Sequence, residues 1–419
     1  MKLYSTRGQS PVVSFREALF AGQAPDGGLY MPVDFPPMPI EAIAAEDDFR
    51  AAAATAITQW LGDELTAEGV QRVTEQAFFF SPALSPLSDG ISVLELFHGP
   101  TLSFKDFGAQ FMAKCMGWFL RHENHEITIL VATSGDTGSA VAHAFHRVEG
   151  IRIVLLYPSG KVSPLQERQF TTLGDNVHAL EVDGTFDDCQ ALVKTAFRDA
   201  ELTARARLSS ANSINIGRLI PQSLYYLWAV TRFSGEAPVV CVPSGNFGNL
   251  CAGLFAEQCG LKVHRFIAAV NANAVIPEYL ETGVPGRRCR RCPTPWTSVI
   301  PAIGSVFGHC TATTAAGSVT GCGRRASRTT RRWRPSAAFM SRTATWPIRT
   351  LRSGWRQRRD IVRLHRMRAG RSFCLLRIQP SFSKSWQRLW RRRCRCRRRW
   401  RHASIAPRSL HPCPTIMEL

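Results

Sequence analysis

Acidic side chains almost vanish from the last third of this 419-residue sequence. Residues 287–419 hold only Asp360 and Glu418 against 31 Arg and 1 Lys, a net charge of +30. A solvated disordered arm draws on Lys and Glu, and a folded domain carries charges of both signs, so neither class fits this composition. Runs such as Arg391 to Arg399 carry enough charge to bind phosphate, but charge alone gives a salt-dependent, sequence-blind association and not a specific nucleic-acid site. Long apolar runs are missing as well. No stretch reaches 18 residues, which predicts no transmembrane helix. The start, Met1 to Gly8, lacks an apolar core, which predicts no secretory signal. Residues 1–286 have only 5 of the 13 cysteines, scattered singly, which suits a reducing cytoplasm. The tail cysteines include Cys289-x2-Cys292 and Cys394-x-Cys396, but no second pair stands at ribbon or finger spacing, which argues against zinc. No Walker lysine, no G-x-G-x-x-G and no internal repeat occurs, so neither an NTPase nor a dinucleotide enzyme is expected.

The whole-chain net of +20 therefore hides an ordinary acidic protein: residues 1–286 carry 20 basic and 30 acidic groups, a net of −10. The change of character near residue 286 reads as a GC-rich gene translated out of frame. Pro293 to Gly304, read with each codon starting one base earlier, can encode Ser-Asn-Ala-Met-Asp-Val-Gly-Asp-Pro-Ser-Asn-Trp. Continuing through Cys310 toward Thr314 allows Ala-Leu-Tyr-Gly-Asp-Asp. Both strings look like globular protein, whereas the printed residues do not.

Within 1–286 the patterns divide near residue 85. The first part opens with a short strand, then a helix over Phe15–Ala21 and a glycine turn at Pro25-Asp26-Gly27-Gly28. Alanine-rich Glu41–Trp60 and Thr66–Phe78, with Thr66 as N-cap, read as helices. From about residue 90, apolar strands alternate with helices. The strands are Ile91–Phe97, Ile127–Ala132, Ile151–Tyr157, Val177–Val182, Val239–Val242 and His264–Ala269. The helices are Asp106–Leu120, Gly138–Val148, Pro164–Leu173, Phe186–Arg198, Ile214–Phe233 and Gly248–Gly260. On Asp106–Leu120, residues Phe107, Phe111, Met112 and Cys115 share one face. Such alternation predicts an α/β domain with a mostly parallel sheet covered on both faces. The expected organisation is an N-terminal subdomain 1–85, an α/β core 86–286 and the Arg-rich tail 287–419.

Three special turns follow strands at the ends where ligands bind in such sheets. The first, His98-Gly99-Pro100-Thr101-Leu102-Ser103-Phe104-Lys105-Asp106-Phe107, holds a lysine between aromatics. Phe104 and Phe107 would desolvate the ammonium and favour the neutral amine needed to form an imine, while Asp106 pulls the other way. The second, Thr133-Ser134-Gly135-Asp136-Thr137-Gly138, offers hydroxyls and amides at a helix start to a carboxylate, although Asp136 is oddly negative for that task. In the third, Ser244-Gly245-Asn246-Phe247-Gly248-Asn249, glycines let N–H groups converge on an anion at a helix N-terminus. Taken singly, each turn is equally a tight strand–helix connection, and a lone lysine is usually a surface charge. Together they read as a pyridoxal phosphate site, with a Schiff-base lysine, a substrate loop and a phosphate cup.

Residues 1–284 resemble the threonine synthases, pyridoxal 5'-phosphate enzymes of the tryptophan-synthase-β-like fold (fold type II). The resemblance rests on Tyr4-Ser5-Thr6-Arg7-Gly8, Asp26-Gly27-Gly28-Leu29-Tyr30, the Ser103-Phe104-Lys105-Asp106 run, both glycine turns, Asn212-Ser213-Ile214-Asn215 and Asn271-Ala272-Asn273. The two N-terminal motifs are the specific part, since related dehydratases lack them. Ile216 and Gly217 depart from it, standing where the family often has Trp and Ala. The restored frame after residue 292 also looks like the family's continuation.

The resemblance implies conversion of O-phospho-L-homoserine and water to L-threonine and phosphate. Lys105 would carry the cofactor and shuttle protons, and Gly245, Asn246, Phe247, Gly248 and Asn249 would hold its phosphate. Ser134, Gly135, Asp136 and Thr137 would face substrate, with Lys161, Ser163, Arg168 and Arg218 as candidates for the substrate phosphate. No metal is implied. The enzyme would be a cytoplasmic monomer or homodimer with a small-molecule substrate and neither membrane nor specific nucleic-acid partner. The residue facing the pyridine nitrogen should lie in the C-terminal third, where the printed residues offer no counterpart. A poorly active chain is therefore expected. The alternatives are a serine or threonine dehydratase of the same fold and a non-functional product whose basic tail binds nucleic acid adventitiously.

Overall fold

The computed structural model describes residues 1–88, 90–123 and 125–270 together with two strands, Thr343–Pro347 and Ser372–Leu376, all within one unit, Met1–Pro380. Strands β1 (Lys2–Ser5), β2 (Val13–Ser14) and β3 (Tyr30–Pro32) form an antiparallel sheet in the order β2-β1-β3. Between β2 and β3 lies helix α1 (Phe15–Ala21). It starts at a capping box in which the Ser14 hydroxyl takes the Glu17 N–H and the Glu17 carboxylate takes the Ser14 N–H.

The alanine-rich stretch expected as one helix is two, α2 (Ile40–Ala45) and α3 (Phe49–Leu61). Glu46, Asp47 and Asp48 break it, because aspartate favours a helix start over a helix interior, and Asp48 is the residue preceding α3. Thr66 caps α4 (Ala67–Ala77) as predicted, accepting the Gly69 N–H at 3.1 Å.

The remaining elements follow in chain order as β4 (Ala83–Ser88), β5 (Ile91–Glu95), α5 (Lys105–Leu120), β6 (Ile127–Ala132), α6 (Asp136–Phe145), β7 (Ile151–Pro158), α7 (Pro164–Thr171), β8 (Val177–Val182), α8 (Phe186–Arg198), α9 (Ala200–Ala206), β9 (Leu208–Ser209), α10 (Ile216–Val230), β10 (Val239–Pro243), α11 (Gly248–Gln258), β11 (Arg265–Val270), β12 (Thr343–Pro347) and β13 (Ser372–Leu376). The predicted strands and helices of residues 91–269 are all present within a few residues of their expected ends. The short pieces β4, α9 and β9 carry too weak a pattern to be found by periodicity.

The parallel core expected from sequence is present, and its strands divide between two sheets. Strands β8-β7-β6-β9 make a parallel four-stranded sheet. The other has the order β12-β11-β10-β13-β5-β4, parallel except for β4, which pairs antiparallel with β5. Periodicity reports which strands are buried but not which strand pairs with which.

Strand β11 lies between β10 and β12, and residues 266–270 are buried. The Cys289, Cys292, Cys394 and Cys396 spacings, the Arg391–Arg399 run, the segment Asn271–Asn273 and the out-of-frame stretch 293–304 lie outside the described residues.

Helix α5 sits at the centre. Its predicted face, Phe107, Phe111, Met112 and Cys115, is fully buried, but so are Gly108, Ala109 and Ala113. A helix buried nearly all round belongs to the core of a large domain. The Phe107 ring is ringed by Phe49, Phe80 and Tyr225 at centroid distances of 5.7, 4.8 and 5.4 Å. These edge-to-face contacts add to the burial of apolar surface.

Candidate active site

Lys105 opens α5 and is 6% exposed. Burying an ammonium costs several kcal/mol unless partners replace water, on the order of the penalties for any unpaired ion. Two partners do so. The Nζ donates to Asp136 Oδ1 at 2.7 Å and to Thr137 Oγ1 at 2.6 Å. Both acceptors come from the first turn of α6, so the lysine loop and the substrate loop predicted from sequence are in direct contact.

The turn that presents Asp136 and Thr137 is built around Thr133. Its hydroxyl accepts the Gly138 N–H at 2.7 Å and the Gly135 N–H at 3.1 Å. Gly135 has φ +135°, and a Cβ there would stand 2.5 Å from Gln166 Oε1, so only glycine fits. The Ser134 side chain is exposed and Thr137 half-buried, leaving both open toward a ligand.

The lysine turn is held by the residue after the lysine. Asp106, fully buried, accepts the Thr101 N–H at 2.9 Å and the Thr101 hydroxyl at 2.6 Å. Burial pushes its carboxyl up to about 6, against the pull of the Thr101 and Ser103 hydrogen bonds and of Arg218. Between these anchors Leu102 takes φ +57°, a left-handed conformation uncommon for a branched residue. Backbone strain of this kind gathers at ligand sites.

The third turn links β10 to α11. Ser244 N–H donates to Ala269 O at 2.7 Å, tying the loop to the neighbouring strand, and Phe247 takes φ +60° to turn into the helix. A Cβ on Gly245 would meet nothing within 4 Å, so the loop opens on free space at the N-terminus of α11. An open, glycine-lined turn at a helix N-terminus suits a phosphate. With a buried amine at the start of α5, the donor set fits pyridoxal phosphate. Asn246 Nδ2 donates to Ser213 Oγ at 3.0 Å.

Asn249, the last residue expected at the phosphate, accepts the Tyr225 and Tyr226 hydroxyls on its Oδ1 at 2.5 and 2.9 Å, which leaves its N–H groups as the donors. Both tyrosines come from α10. This helix joins the parts: Arg218 lies against Gly108 of α5, and Leu219 lies against Gly248 of α11.

The four candidates for the substrate phosphate separate. Ser163 caps α7 and donates to Gln166 Oε1 at 2.9 Å, which puts it one residue contact from Gly135. Lys161 is exposed, with its Nζ on Gly184 O at 2.9 Å, and Arg168 is exposed on α7. Arg218 is 1% exposed, with Nη1 donating to Ala211 O at 2.7 Å. Sequence reasoning missed Thr101, Gln166, Tyr225 and Tyr226. Only Thr101 left a trace, a hydroxyl beside the lysine turn.

The N-terminal motifs meet each other too. Ser5 Oγ donates to Asp26 Oδ1 at 2.6 Å, Gln9 N–H to Asp26 Oδ2 at 3.0 Å, and Arg7 Nη1 to Asp26 O at 2.7 Å. A Cβ on Gly28 would fall 2.1 Å from Ser5 Oγ, which explains the glycine.

Residues 78–340 match the family described as "Pyridoxal-phosphate dependent enzyme", and residues 2–78 match "Threonine synthase N terminus". The threonine synthase of Serratia marcescens is 47% identical over 288 residues, covering 68% of this chain and 67% of that protein.

This chain belongs to the threonine synthase family.

The Escherichia coli K12 threonine synthase is 46% identical over 288 residues, again 68% of this chain and 67% of that protein. In three dimensions the chain matches the crystal structure of Escherichia coli threonine synthase with TM-score 0.73 and 35% identity, covering 89% of this chain and 87% of that one. It matches the Brucella melitensis threonine synthase, solved with pyridoxal phosphate bound, with TM-score 0.78 and 32% identity over 91% and 89% of the two chains. The fold-type-II architecture and pyridoxal phosphate dependence expected from sequence therefore hold for this chain as a threonine synthase family member. Among the described residues no helix is long and apolar enough to cross a membrane, and no His/Cys/Asp/Glu group could hold a metal.

Proposed function

We propose that this protein converts O-phospho-L-homoserine and water to L-threonine and phosphate. The observation that carries the proposal is the buried Lys105 ammonium held between Asp136 and Thr137 at the meeting of two helix N-termini. Bound at Lys105, pyridoxal phosphate supplies the electron sink that lets the α- and β-protons leave. The chain does the rest. Gly245, Asn246, Phe247, Gly248 and Asn249 hold the phosphate of the cofactor, and the Asn249 side-chain oxygen also braces their helix through the α10 tyrosines. Ser134, Gly135 and Thr137 present hydroxyl and N–H donors to the substrate carboxylate at the start of α6. Ser163, Lys161 and Arg168 are the cations and hydroxyl offered to the substrate phosphate. Lys105 Nζ would move protons at the substrate carbons, with Asp136 and Thr137 holding it in line. The γ-carbon–oxygen bond to phosphate breaks and Cγ takes a proton, water adds its hydroxyl at Cβ, a proton returns to Cα, and the second proton of water leaves with phosphate.

The domain division 1–85, 86–286 and 287–419 and the out-of-frame origin of the last part belong to this proposal, as do a cytoplasmic location and a monomer or homodimer. The composition break and the restored codons support the frame shift. So does the extent of similarity to the curated relatives, about two-thirds of the chain. Resequencing the gene across codons 280–295 decides it: a miscalled base restores a whole enzyme, and a true shift leaves a chain of low activity.

The activity test uses purified chain of confirmed mass, with pyridoxal phosphate and O-phosphohomoserine. Phosphate and threonine should appear in equal amounts. Release of ammonia from serine or threonine without phosphate release would make the protein a dehydratase. Lys105→Ala should abolish the imine absorbance of bound cofactor and cut turnover at least about a thousandfold.

A further inference from the structure

Four charged side chains are packed together behind the lysine turn, and the reaction described above uses only part of them. Lys105 and Asp136 form an ion pair at 2.7 Å. Asp106 follows Lys105 in α5 and is fully buried. Arg218, on α10, is among the largest fully buried side chains. Its Nε has no hydrogen-bond partner among the described residues, although Nη1 reaches Ala211 O. The fit is close: a Cβ on Gly108 would stand 3.1 Å from Arg218 Nε and 3.0 Å from Arg218 O. Glycine one turn after the lysine is thus what lets the guanidinium lie against α5. Burial lowers the Arg218 guanidinium to about 10, and the charges of Asp136 and Asp106 oppose that shift. Among the described residues the cluster holds two cations and two anions.

Its balance changes during function. To join the cofactor aldehyde, the Lys105 amine must give up its proton and become neutral. Among the described residues, Arg218 is then the cation that remains beside Asp136 and Asp106. A guanidinium is the group that keeps its charge under those conditions.

We propose that Arg218 is a positioning residue, the standing counter-cation that lets Lys105 become neutral while Asp136 stays ionised and in place. This assignment departs from the sequence-level expectation that Arg218 meets the substrate phosphate, and it rests on the reading of Lys105 as the cofactor lysine. Without Arg218, the two carboxylates would hold the Lys105 proton more tightly. Among the described residues, the charges acting on the guanidinium are Asp106 from α5 and Asp136 from α6, and Lys105 is paired with Asp136.

The test needs no turnover. Trace labelling of the cofactor-free full chain with an amine-reactive anhydride, followed by peptide mass spectrometry, gives the pH midpoint at which Lys105 becomes reactive. Arg218→Gln should raise that midpoint by about one pH unit or more. Arg218→Lys, which keeps the charge, should return it to within a few tenths of the parent value. Removing a buried cation risks the fold, so the same substitution is also made on Asp106→Asn, where the double variant loses one charge of each sign. There too Arg218→Gln should raise the midpoint relative to Asp106→Asn alone. An unmoved midpoint in either folded background overturns the proposal, as does an Arg218→Lys profile displaced as far as that of Arg218→Gln. Failure of the parent chain to form an imine with pyridoxal phosphate would instead strike the cofactor reading, leaving the labelling result to judge Arg218 on its own.

Discussion

Asp106 and Asp26 show how the same side chain, one buried and one near water, gives opposite pH behaviour. Asp106 is pushed up to about 6 by burial, above the ordinary carboxylate value. The folded chain then binds the extra proton between about pH 4 and pH 6, so this group lowers stability as pH rises through that window. Asn cannot titrate. The stability of the parent relative to Asp106→Asn should therefore fall by on the order of 2–3 kcal/mol from pH 4 to pH 6 and level off above, as read by denaturant unfolding at each pH. A flat difference would show that Asp106 is not desolvated. Asp26 runs the other way. Partial desolvation works against ionisation, but hydrogen bonds from Ser5, Gly28, Gln9 and Ser10 hold its carboxyl down to about 2. Its contribution is present above the ordinary carboxylate value and is lost as pH falls toward 2. Asp26→Asn should thus be less stable than the parent at pH 7, with the gap closing in acid.

At the scale of elements, the close contacts of helices are set by glycines placed where another side chain must pass. Gly69 of α4 lies under the Trp118 indole of α5, and a Cβ there would come within 2.7 Å of the ring. Gly69→Ala gains about 1 kcal/mol of helix propensity but forces the indole aside, so a net loss of about 1–2 kcal/mol is expected in denaturant midpoint measurements. Gly217 of α10 does the same for α1, since a Cβ would stand 2.3 Å from Leu19 Cδ1. That contact gives a physical reason for glycine where the family often has alanine. It also shows why the departure, visible in the sequence as a mismatch, had no explanation there: the partner lies in α1, about 200 positions earlier.

Over the whole molecule, β13 is the joint of the large sheet. It pairs with β10 on one side and β5 on the other, so the β4–β5 hairpin, and the lysine turn that follows β5, are tied to the phosphate-cup strand through it. Ending the chain at residue 342 removes β12 and β13. The amides of β5 and β10 should then lose most of their hydrogen-exchange protection, while those of β6 and β7 in the other sheet keep theirs. Unchanged protection in β5 and β10 would mean that the tail strands do not hold the sheet in solution.

Local chemistry by itself determined a good deal: the strands and helices of residues 91–269, the Thr66 cap, and the three turns that carry the lysine, the substrate loop and the phosphate cup. These depend on neighbours a few positions apart, through side-chain period, capping and the conformational freedom of glycine, and such terms are written along the chain. The family resemblance carried that reading on to a reaction. Only the tertiary structure decided that the strands divide into two sheets and that the Asn249 side-chain oxygen meets the α10 tyrosines. It also placed Asp136 on the lysine and Arg218 behind both, out of reach of a surface ligand. Those outcomes depend on which distant groups share a desolvated space, and the energy of a buried charge is set by its neighbours in space and not by its neighbours in sequence.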